Sequence, residues 1–226
     1  MATASQISHR IIDAALSRQL EPNTRLGEQD IAQLFGCSRT IVREAMVDLA
    51  ARGIVAVSPR RGWFLTKVDV AKARELYEAR EVIESGFLRR LARQGRVLGP
   101  EPIEQLREHL AQQQEAVEGD DVNRRSYLLG NFHVRLAECL GNSILAERLR
   151  DLTVLTTLFT MRHQTPEDAR MSYEEHVAIV DALAAGDFYA AEERMYRHLG
   201  TWESKVHMAE EEDPLGGLRQ ALAVPC

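Results

Sequence analysis

The stretch between residues 28 and 62 constrains the fold more than any other part of the chain. Its pattern predicts a short helix over residues 28–35, with Ile31, Ala32 and Leu34 as apolar contacts. A tight turn and a second helix over residues 39–51 follow. Ser38 precedes the second helix, where its hydroxyl group can accept a hydrogen bond from a free backbone N–H group. Two helices joined by so short a turn predict a helix-turn-helix.

Two β-prone runs follow these helices, over residues 54–57 and 63–66. The turn between them carries two positive charges, Arg60 and Arg61, and a glycine, Gly62. A basic hairpin that follows a helix-turn-helix indicates a wing, so the N-terminal part is predicted to be a winged helix-turn-helix.

The second helix separates apolar from charged residues. Val42, Ala45 and Leu49 fall together on a helical wheel, whereas Arg39 and Arg43 share another side, one turn apart. Arginine can offer two parallel donors to guanine in the major groove of DNA, which makes this side a candidate for reading bases. A solvated helix face with two ordinary arginines fits the helix equally well. The basic wing beside it favours DNA.

These motifs resemble the DNA-binding domain of the GntR family of bacterial transcription regulators, over roughly residues 5–67. The resemblance lies in segments 37–45, 51–55 and 60–65, although Asn23 stands where the family usually has glycine. It implies that the partner is double-stranded DNA. The DNA-binding residues that it implies are Gln29, Ser38, Arg39, Thr40, Arg43, Arg61 and Gly62.

Charge is distributed unevenly along the chain, whose formal net charge is −6. Residues 1–67 hold 9 lysines and arginines against 6 acidic residues, a net charge of +3, whereas residues 68–226 hold 19 against 28, a net charge of −9. A basic part suits phosphate, and an acidic part is repelled by it. The asymmetry predicts a DNA-binding part followed by a separate sensing part.

The composition also bears on compartment. Cys37, Cys139 and Cys226 are odd in number and far apart, which predicts reduced thiols and no Cys-x-x-Cys metal site. No run of 18 apolar residues occurs, and the first residues lack the charged and apolar regions of a signal peptide. We therefore expect a cytoplasmic protein with no membrane partner.

Helical periodicity dominates the rest of the sequence. A first helix is predicted over residues 6–20, and an all-α bundle of about six helices over residues 70–94, 101–118, 122–140, 143–162, 172–185 and 187–207. Ser172 and Glu175 read as a capping box for the fifth of these. The predicted fold is mostly α, with domains at residues 1–67 and 70–209 and a loose tail at residues 210–226.

Charged residues interrupt the apolar stripe of the first helix in this bundle. Arg80 and Glu84 fall on the same side as Leu76, Ile83 and Leu91, so both side chains should point inward. Buried charges are costly unless they are paired or used, and the two residues stand four apart on the helix. They predict either an internal ion pair whose two charges only neutralise each other, or part of a binding site.

Three histidines lie on apolar stripes of three different helices: His133, His176 and His198. One such histidine alone is more often a core residue hydrogen-bonded to a neighbour. Three that converge inside one small bundle offer nitrogen ligands for Zn²⁺ or Ni²⁺ and leave coordination positions open. The sequence therefore predicts a divalent metal site.

Together these residues resemble the FCD domain, the all-helical effector-binding domain of the fatty-acid-regulator branch of the GntR family. The resemblance implies that His133, His176 and His198 bind a divalent metal, zinc or nickel. It implies effector-binding roles for Arg80, Glu84 and Asn142. Leu129 replaces the aspartate that the family has four residues before the first histidine, so waters or the effector would complete the metal site.

The predicted function is that of a homodimeric, sequence-specific regulator that binds an inverted-repeat operator and is not an enzyme. We expect a repressor that a small organic acid releases from DNA. Two alternatives belong to other classes: a metal-dependent hydrolase with an accessory DNA-binding-like domain, and an architectural DNA-binding protein without an effector. No His-Glu-x-x-His motif supports the hydrolase.

Overall fold

A computed structural model describes residues 2–59, 61–160 and 165–202 of the 226-residue chain. In these ranges the protein is mostly α-helical, with an N-terminal winged helix-turn-helix and a bundle of six helices after it, which confirms the predicted fold class. The helices are α1 (Ala4–Leu16), α2 (Glu28–Phe35), α3 (Arg39–Ala51), α4 (Val70–Arg93), α5 (Pro100–Glu118), α6 (Val122–Cys139), α7 (Ser143–Thr160), α8 (Pro166–Ala184) and α9 (Phe188–Gly200). The strands are β1 (Arg25–Leu26), β2 (Val55–Ser58) and β3 (Gly62–Leu65).

Local signals define the turn between α2 and α3. Gly36 ends α2 in the left-handed conformation, at φ 60°, which a glycine adopts without steric cost. The hydroxyl group of Ser38 accepts a hydrogen bond from the backbone N–H of Ile41 at 3.4 Å and so caps α3. The sequence predicted the bounds of both helices.

The wing is an antiparallel sheet in the order β1-β3-β2. Ser58 pairs with Gly62 at the tip of the β2–β3 hairpin, and Gly62 has a φ of 94°. Asn23, ahead of β1, has a φ of 67°. Asparagine tolerates this left-handed conformation better than most residues, which explains how it can stand where glycine is usual.

Two local predictions are wrong. Helix α8 begins at Pro166, not at residue 172, because Thr165 and Asp168 form its capping box and proline is favourable in the first helical turn. Ser172 is therefore a buried residue inside the helix rather than a cap. Leu34, predicted as an apolar contact of α2, is 80% exposed, and Phe35 packs against the core instead.

One apolar core joins the N-terminal part to the bundle. It contains residues from α1 and α3, such as Leu16 and Leu49, together with Leu158 of α7 and Trp202 after α9. Trp202 also stacks on Tyr77 of α4, with ring centroids 4.8 Å apart. A second core, among α4, α5, α6, α8 and α9, lies inside the bundle. The N-terminal part is thus packed on α7 rather than tethered to it.

Parts of the prediction lie outside the described residues: Arg60 in the wing, the last two residues of the predicted helix 143–162, the end of the predicted helix 187–207 and the tail at 210–226. In the described part of the chain, no helix combines the length and apolar character needed to cross a membrane.

Replacing Leu158 by alanine should lower the free energy of unfolding by about 2–5 kcal/mol, because its side chain is only 1% exposed within the shared core. Ile144→Ala on the same helix is the control, since Ile144 is 71% exposed and should change stability by about 0.5 kcal/mol or less. Denaturant unfolding followed by far-UV and near-UV circular dichroism should show one shifted transition for Leu158→Ala. Two separate transitions, of which only one moves, would show that the core does not join the two parts.

Candidate functional site

The first candidate site is the charged side of α3. Arg39 and Arg43 have side chains 63% and 62% exposed, whereas Val42 and Leu49 on the other side are fully buried. Thr40 is also exposed. The helix therefore presents its two arginines to solvent while its apolar side anchors it.

The wing continues this surface. The Arg61 guanidinium lies over the Phe64 ring, 5.0 Å from its centroid, and Gly62 beside it is exposed. Gln29 is exposed near the start of α2, and Ser38 is exposed at the start of α3. Glu28, which the sequence did not single out, accepts hydrogen bonds from Arg39, Arg43 and Trp63.

The second candidate site lies inside the bundle, where the three histidines predicted from the sequence come together. The Nε2 atom of His198 lies 3.2 Å from that of His176 and 3.4 Å from that of His133. All three side chains are buried, and their ligand atoms lie within 4.8 Å of one another. Helices α6, α8 and α9 each contribute one of them.

An oxygen atom faces the other ring nitrogen of each histidine. The Nδ1 atom of His133 lies 2.6 Å from Glu84 Oε2, that of His198 lies 2.5 Å from Glu175 Oε2, and that of His176 lies 2.9 Å from Gln113 Oε1. Carboxylate and amide oxygens accept hydrogen bonds, so each ring places its proton on Nδ1, and Nε2 is then the unprotonated nitrogen that can bind a metal.

This donor set fits a divalent metal ion. Two nitrogen ligands about 2.0–2.1 Å from a tetrahedral Zn²⁺ lie roughly 3.3–3.4 Å apart, close to the observed Nε2 separations. Lone pairs that face one another at such distances repel unless a cation lies between them. The carboxylates behind His133 and His198 are the partners that metal-bound histidines usually have.

Electrostatics keep His133 in the form that binds metal. Burial, together with the positive charge of Arg80, lowers the pKa of His133 to about 3, so the ring is neutral at neutral pH. Burial acts to raise the pKa of Glu84, but the neighbouring His133 and Arg80 outweigh it and lower that pKa to about 2. Glu84 is therefore an anion that holds both neighbours in place.

Arg80 carries the positive charge of this site and is 4% exposed. Its Nε donates to Glu84 Oε1 at 2.9 Å and its Nη1 to Thr156 Oγ1 at 3.0 Å. Among the described residues, no group accepts a hydrogen bond from Arg80 Nη2, and Thr153 Oγ1 is likewise buried without a partner. A buried guanidinium with an unused N–H donor can bind an anion by donating a hydrogen bond to it.

A cavity of about 80 Å³ connects these groups. Arg80, the three histidines and hydroxyl side chains of α6, α7 and α8 line it, including Ser126, Thr153, Thr156, Thr157, Thr160 and Ser172. Leu129 also lines the cavity, one turn before His133 on α6. An apolar side chain thus stands where the resemblance implied a fourth, carboxylate ligand.

The residues predicted to bind the effector are not all at the cavity. Asn142 does not line the cavity; its Oδ1 accepts from the backbone N–H of Leu145 at 3.0 Å, at the start of α7. Arg80 and Glu84 form the internal ion pair that was one of the two predictions for them. His109, a fourth buried histidine, contacts the carbonyl of Leu128 at 3.2 Å and is an ordinary core residue.

The sequence reading missed several residues of the cavity and its surroundings. Gln113 interrupts the apolar stripe of α5 in the way that Arg80 interrupts that of α4, so the same signal was present. The threonines at 153, 156, 157 and 160 recur at helical spacing in an otherwise apolar segment. Glu175 had no such signal, because acidic residues are common on helix surfaces.

Profiles of known families match two parts of the chain. The profile described as "FCD domain" matches residues 75–201, and the one described as "Bacterial regulatory proteins, gntR family" matches residues 3–65. Among curated relatives, "HTH-type transcriptional repressor RspR" of Escherichia coli (strain K12) is 28% identical over 197 residues, covering 86% of this chain and 84% of that protein. The "Uxu operon transcriptional regulator" of the same strain is 26% identical over 224 residues, covering 86% and 82%.

Solved structures share the fold. E. coli McbR/YncC has a TM-score of 0.77 at 21% identity, covering 90% of this chain and 96% of that chain. A transcriptional regulator described as GntR from Rhodococcus sp. RHA1 has a TM-score of 0.73 at 24% identity, covering 89% and 95%. At these identities the likeness concerns the fold alone.

Proposed function

Since the chain belongs to the FCD-domain branch of the gntR family of bacterial regulatory proteins, and is thus a DNA-binding transcriptional regulator with a C-terminal effector-binding domain, we propose that it is a repressor which a small organic acid releases from its operator. The observation that carries the effector class is the buried Arg80, which lines a cavity with many hydroxyl groups and whose Nη2 has no acceptor among the described residues. The name of one relative, a transcriptional repressor, supports the direction of control.

The two other function classes raised by the sequence are not supported. The curated relatives named above are transcriptional regulators rather than enzymes. The FCD domain gives the chain an effector-binding part, which an effector-independent architectural protein lacks.

The DNA-contacting surface is proposed to combine α3 and the wing. Arg39 and Arg43 read bases in the major groove, with Ser38 and Thr40 in contact with phosphates or base edges. Arg61 and Gly62 contact the backbone and minor groove at the wing tip. Gln29 is the weakest candidate and rests on its position alone.

Assembly as a homodimer is proposed from the geometry of recognition. A single small winged helix reaches few bases, so two copies related by a twofold axis would read an inverted repeat. The acidic helical bundle suits the role of dimerisation surface, because it is repelled from the DNA that the basic N-terminal part binds.

The three Nε2 atoms of His133, His176 and His198 are proposed to hold a divalent metal ion, zinc or nickel. The ion would supply a fixed positive charge and open coordination positions for an anionic oxygen. Around these rings, Arg80 contributes one positive charge, and Glu84 and Glu175 contribute two negative charges. The site without metal therefore carries one net negative charge, and a divalent ion makes it suitable for an anion.

The effector is proposed to be a small organic acid whose carboxylate binds Arg80 Nη2. Glu84 and Thr156 accept hydrogen bonds from the guanidinium and hold it in place, and Thr153, whose Oγ1 has no partner among the described residues, offers a hydroxyl group in the same cavity. Because Leu129 contributes no negative charge, metal and acid should strengthen each other's binding, by about 1–3 kcal/mol if the coupling is of the usual size.

Hydrogen bonds of two residues, Ser126 and Asp151, link the surroundings of the cavity to the DNA-binding part. Ser126 lines the cavity from α6, donates to the carbonyl of Leu16 at 3.0 Å and accepts from Arg18 Nε at 3.1 Å. On α7, Asp151 accepts from Arg52 Nε at 3.0 Å, two residues before the cavity residue Thr153. A ligand that moves α6 against α7 would therefore also act on the ends of α1 and α3.

Arg43→Ala should reduce the preference for a duplex selected by wild-type protein over a random duplex, by about 1–3 kcal/mol, because a bidentate base contact is lost. Arg61→Ala should weaken binding to both duplexes alike and lower the salt dependence, since it removes a phosphate contact. Fluorescence anisotropy at several salt concentrations measures both effects. An unchanged preference in Arg43→Ala would contradict the assignment of α3 as the reading helix.

Zinc added to metal-free protein should bind to the wild type and to His109→Ala, but not to His176→Ala. His109 is a matched control because it is also a buried histidine, but its ring faces a carbonyl instead of the cluster. Titration calorimetry with each variant, after circular dichroism has verified its fold, measures the uptake. Equal uptake by His176→Ala and the wild type would show that the histidines are only core residues.

The protein alone should sediment as a dimer, since a twofold pair of reading helices needs a stable partner surface. Sedimentation velocity at micromolar concentration, with and without the selected duplex, gives the mass of each species. A monomeric protein that binds each duplex as a single copy would contradict the proposed assembly.

A further inference from the structure

The first residue of α2, Glu28, joins three elements of the DNA-binding part. Its Oε1 accepts from Arg43 Nε at 2.9 Å and from Trp63 Nε1 at 3.1 Å. Its Oε2 accepts from Arg43 Nη2 at 2.8 Å and from Arg39 Nη2 at 3.2 Å. One carboxylate thereby contacts the two arginines of α3 and the tryptophan of strand β3.

This carboxylate stays ionised. Hydrogen bonds from Arg43 and then Trp63 lower the pKa of Glu28 to about 2, although partial burial acts against them. Glu28 is 13% exposed, and its place at the N-terminal end of α2 adds a favourable interaction with the helix dipole. The contacts therefore hold at any pH at which DNA binding is measured.

The geometry leaves the reading edge of Arg43 available. A guanidinium has five N–H donors, and Glu28 takes the edge formed by Nε and Nη2. The opposite edge, formed by Nη1 and the second hydrogen of Nη2, keeps two parallel donors, which is the arrangement that guanine O6 and N7 require. The side chain is 62% exposed, so DNA can reach it.

We propose that Glu28 is a positioning residue, which orients Arg39 and Arg43 for base reading and couples their position to the wing through Trp63. It does not itself contact DNA. This inference rests on the proposed function of α3. Fixing a flexible arginine before binding removes part of the entropy cost of ordering it on the operator.

A carboxylate that merely competed with DNA for the arginines would have the opposite effect on recognition. Its removal would strengthen binding to every sequence, because a negative charge near phosphate is lost. Removal of a positioning residue strengthens or preserves binding to random DNA and weakens the preference for the selected duplex. The ratio of the two affinities therefore separates these roles.

The test compares Glu28→Gln with Asp30→Asn, a matched control that removes the same charge from the same turn of α2 at an exposed side chain. Probes are the duplex that the wild type selects from a random pool and a random duplex of the same length. Glu28→Gln should lower the affinity ratio at least ~5-fold, the low end of one bidentate base contact. Asp30→Asn should leave it unchanged, and equal ratios for the two variants would overturn the inference.

A double-variant cycle distinguishes positioning from a structural role. In an Arg43→Ala background, Glu28→Gln should have much less effect on the ratio, because one of the residues through which it acts is gone. If Glu28→Gln lowered the affinity ratio as much in the Arg43→Ala background as in the wild type, the inference would be overturned.

If Glu28→Gln does not fold, Trp63→Phe takes its place, because it removes the N–H donor to Glu28. Trp63→Phe should also lower the affinity ratio, and an unchanged ratio would overturn the inference. A wild type without sequence preference would instead refute the proposed function.

Discussion

The apolar core shared by the N-terminal part and the bundle is the constraint on which the other features depend. Leu16 of α1 and Leu49 of α3 pack in the same cluster as Leu158 of α7 and Trp202. Because protein interiors are densely packed, a shift of α7 cannot leave α1 and α3 where they were. The same helix carries the threonines of the cavity, so the reading surface and the proposed sensing site share one support.

Buried charge explains why the cavity is polar in the middle of an apolar bundle. The Arg80–Glu84 pair is almost fully buried, and such a pair is rarely retained for stability alone, since apolar residues of similar size often serve as well. Here Glu84 also orients His133, and Arg80, which lines the cavity, keeps one donor without an acceptor among the described residues. Glu28 has a similar position in the N-terminal part, where one carboxylate orients two cations.

Much of this was accessible from the sequence because it depends on local periodicity. The bounds of α2 and α3 follow from Ser38, which caps α3, and from Gly36 and Gly53, which follow the two helices in the left-handed conformation. The convergence of three histidines follows from their places on apolar stripes. The sequence could not predict contacts between residues that are far apart in the chain. These are the contacts of Glu175 with His198, Ser126 with Leu16, and Glu28 with Trp63. The early start of α8 was missed because Pro166 reads equally well as a break and as a first helical residue.

Hydrogen–deuterium exchange with and without saturating zinc tests most directly whether the cavity acts on the DNA-binding part. Amides of residues 17–20 are the ones to follow, since Arg18 and the carbonyl of Leu16 contact Ser126 of the cavity. The account predicts that zinc changes exchange in α6 and α8 and also in residues 17–20, and that His176→Ala abolishes both changes. Altered exchange in α6 and α8, with residues 17–20 unchanged in the wild type, would contradict it.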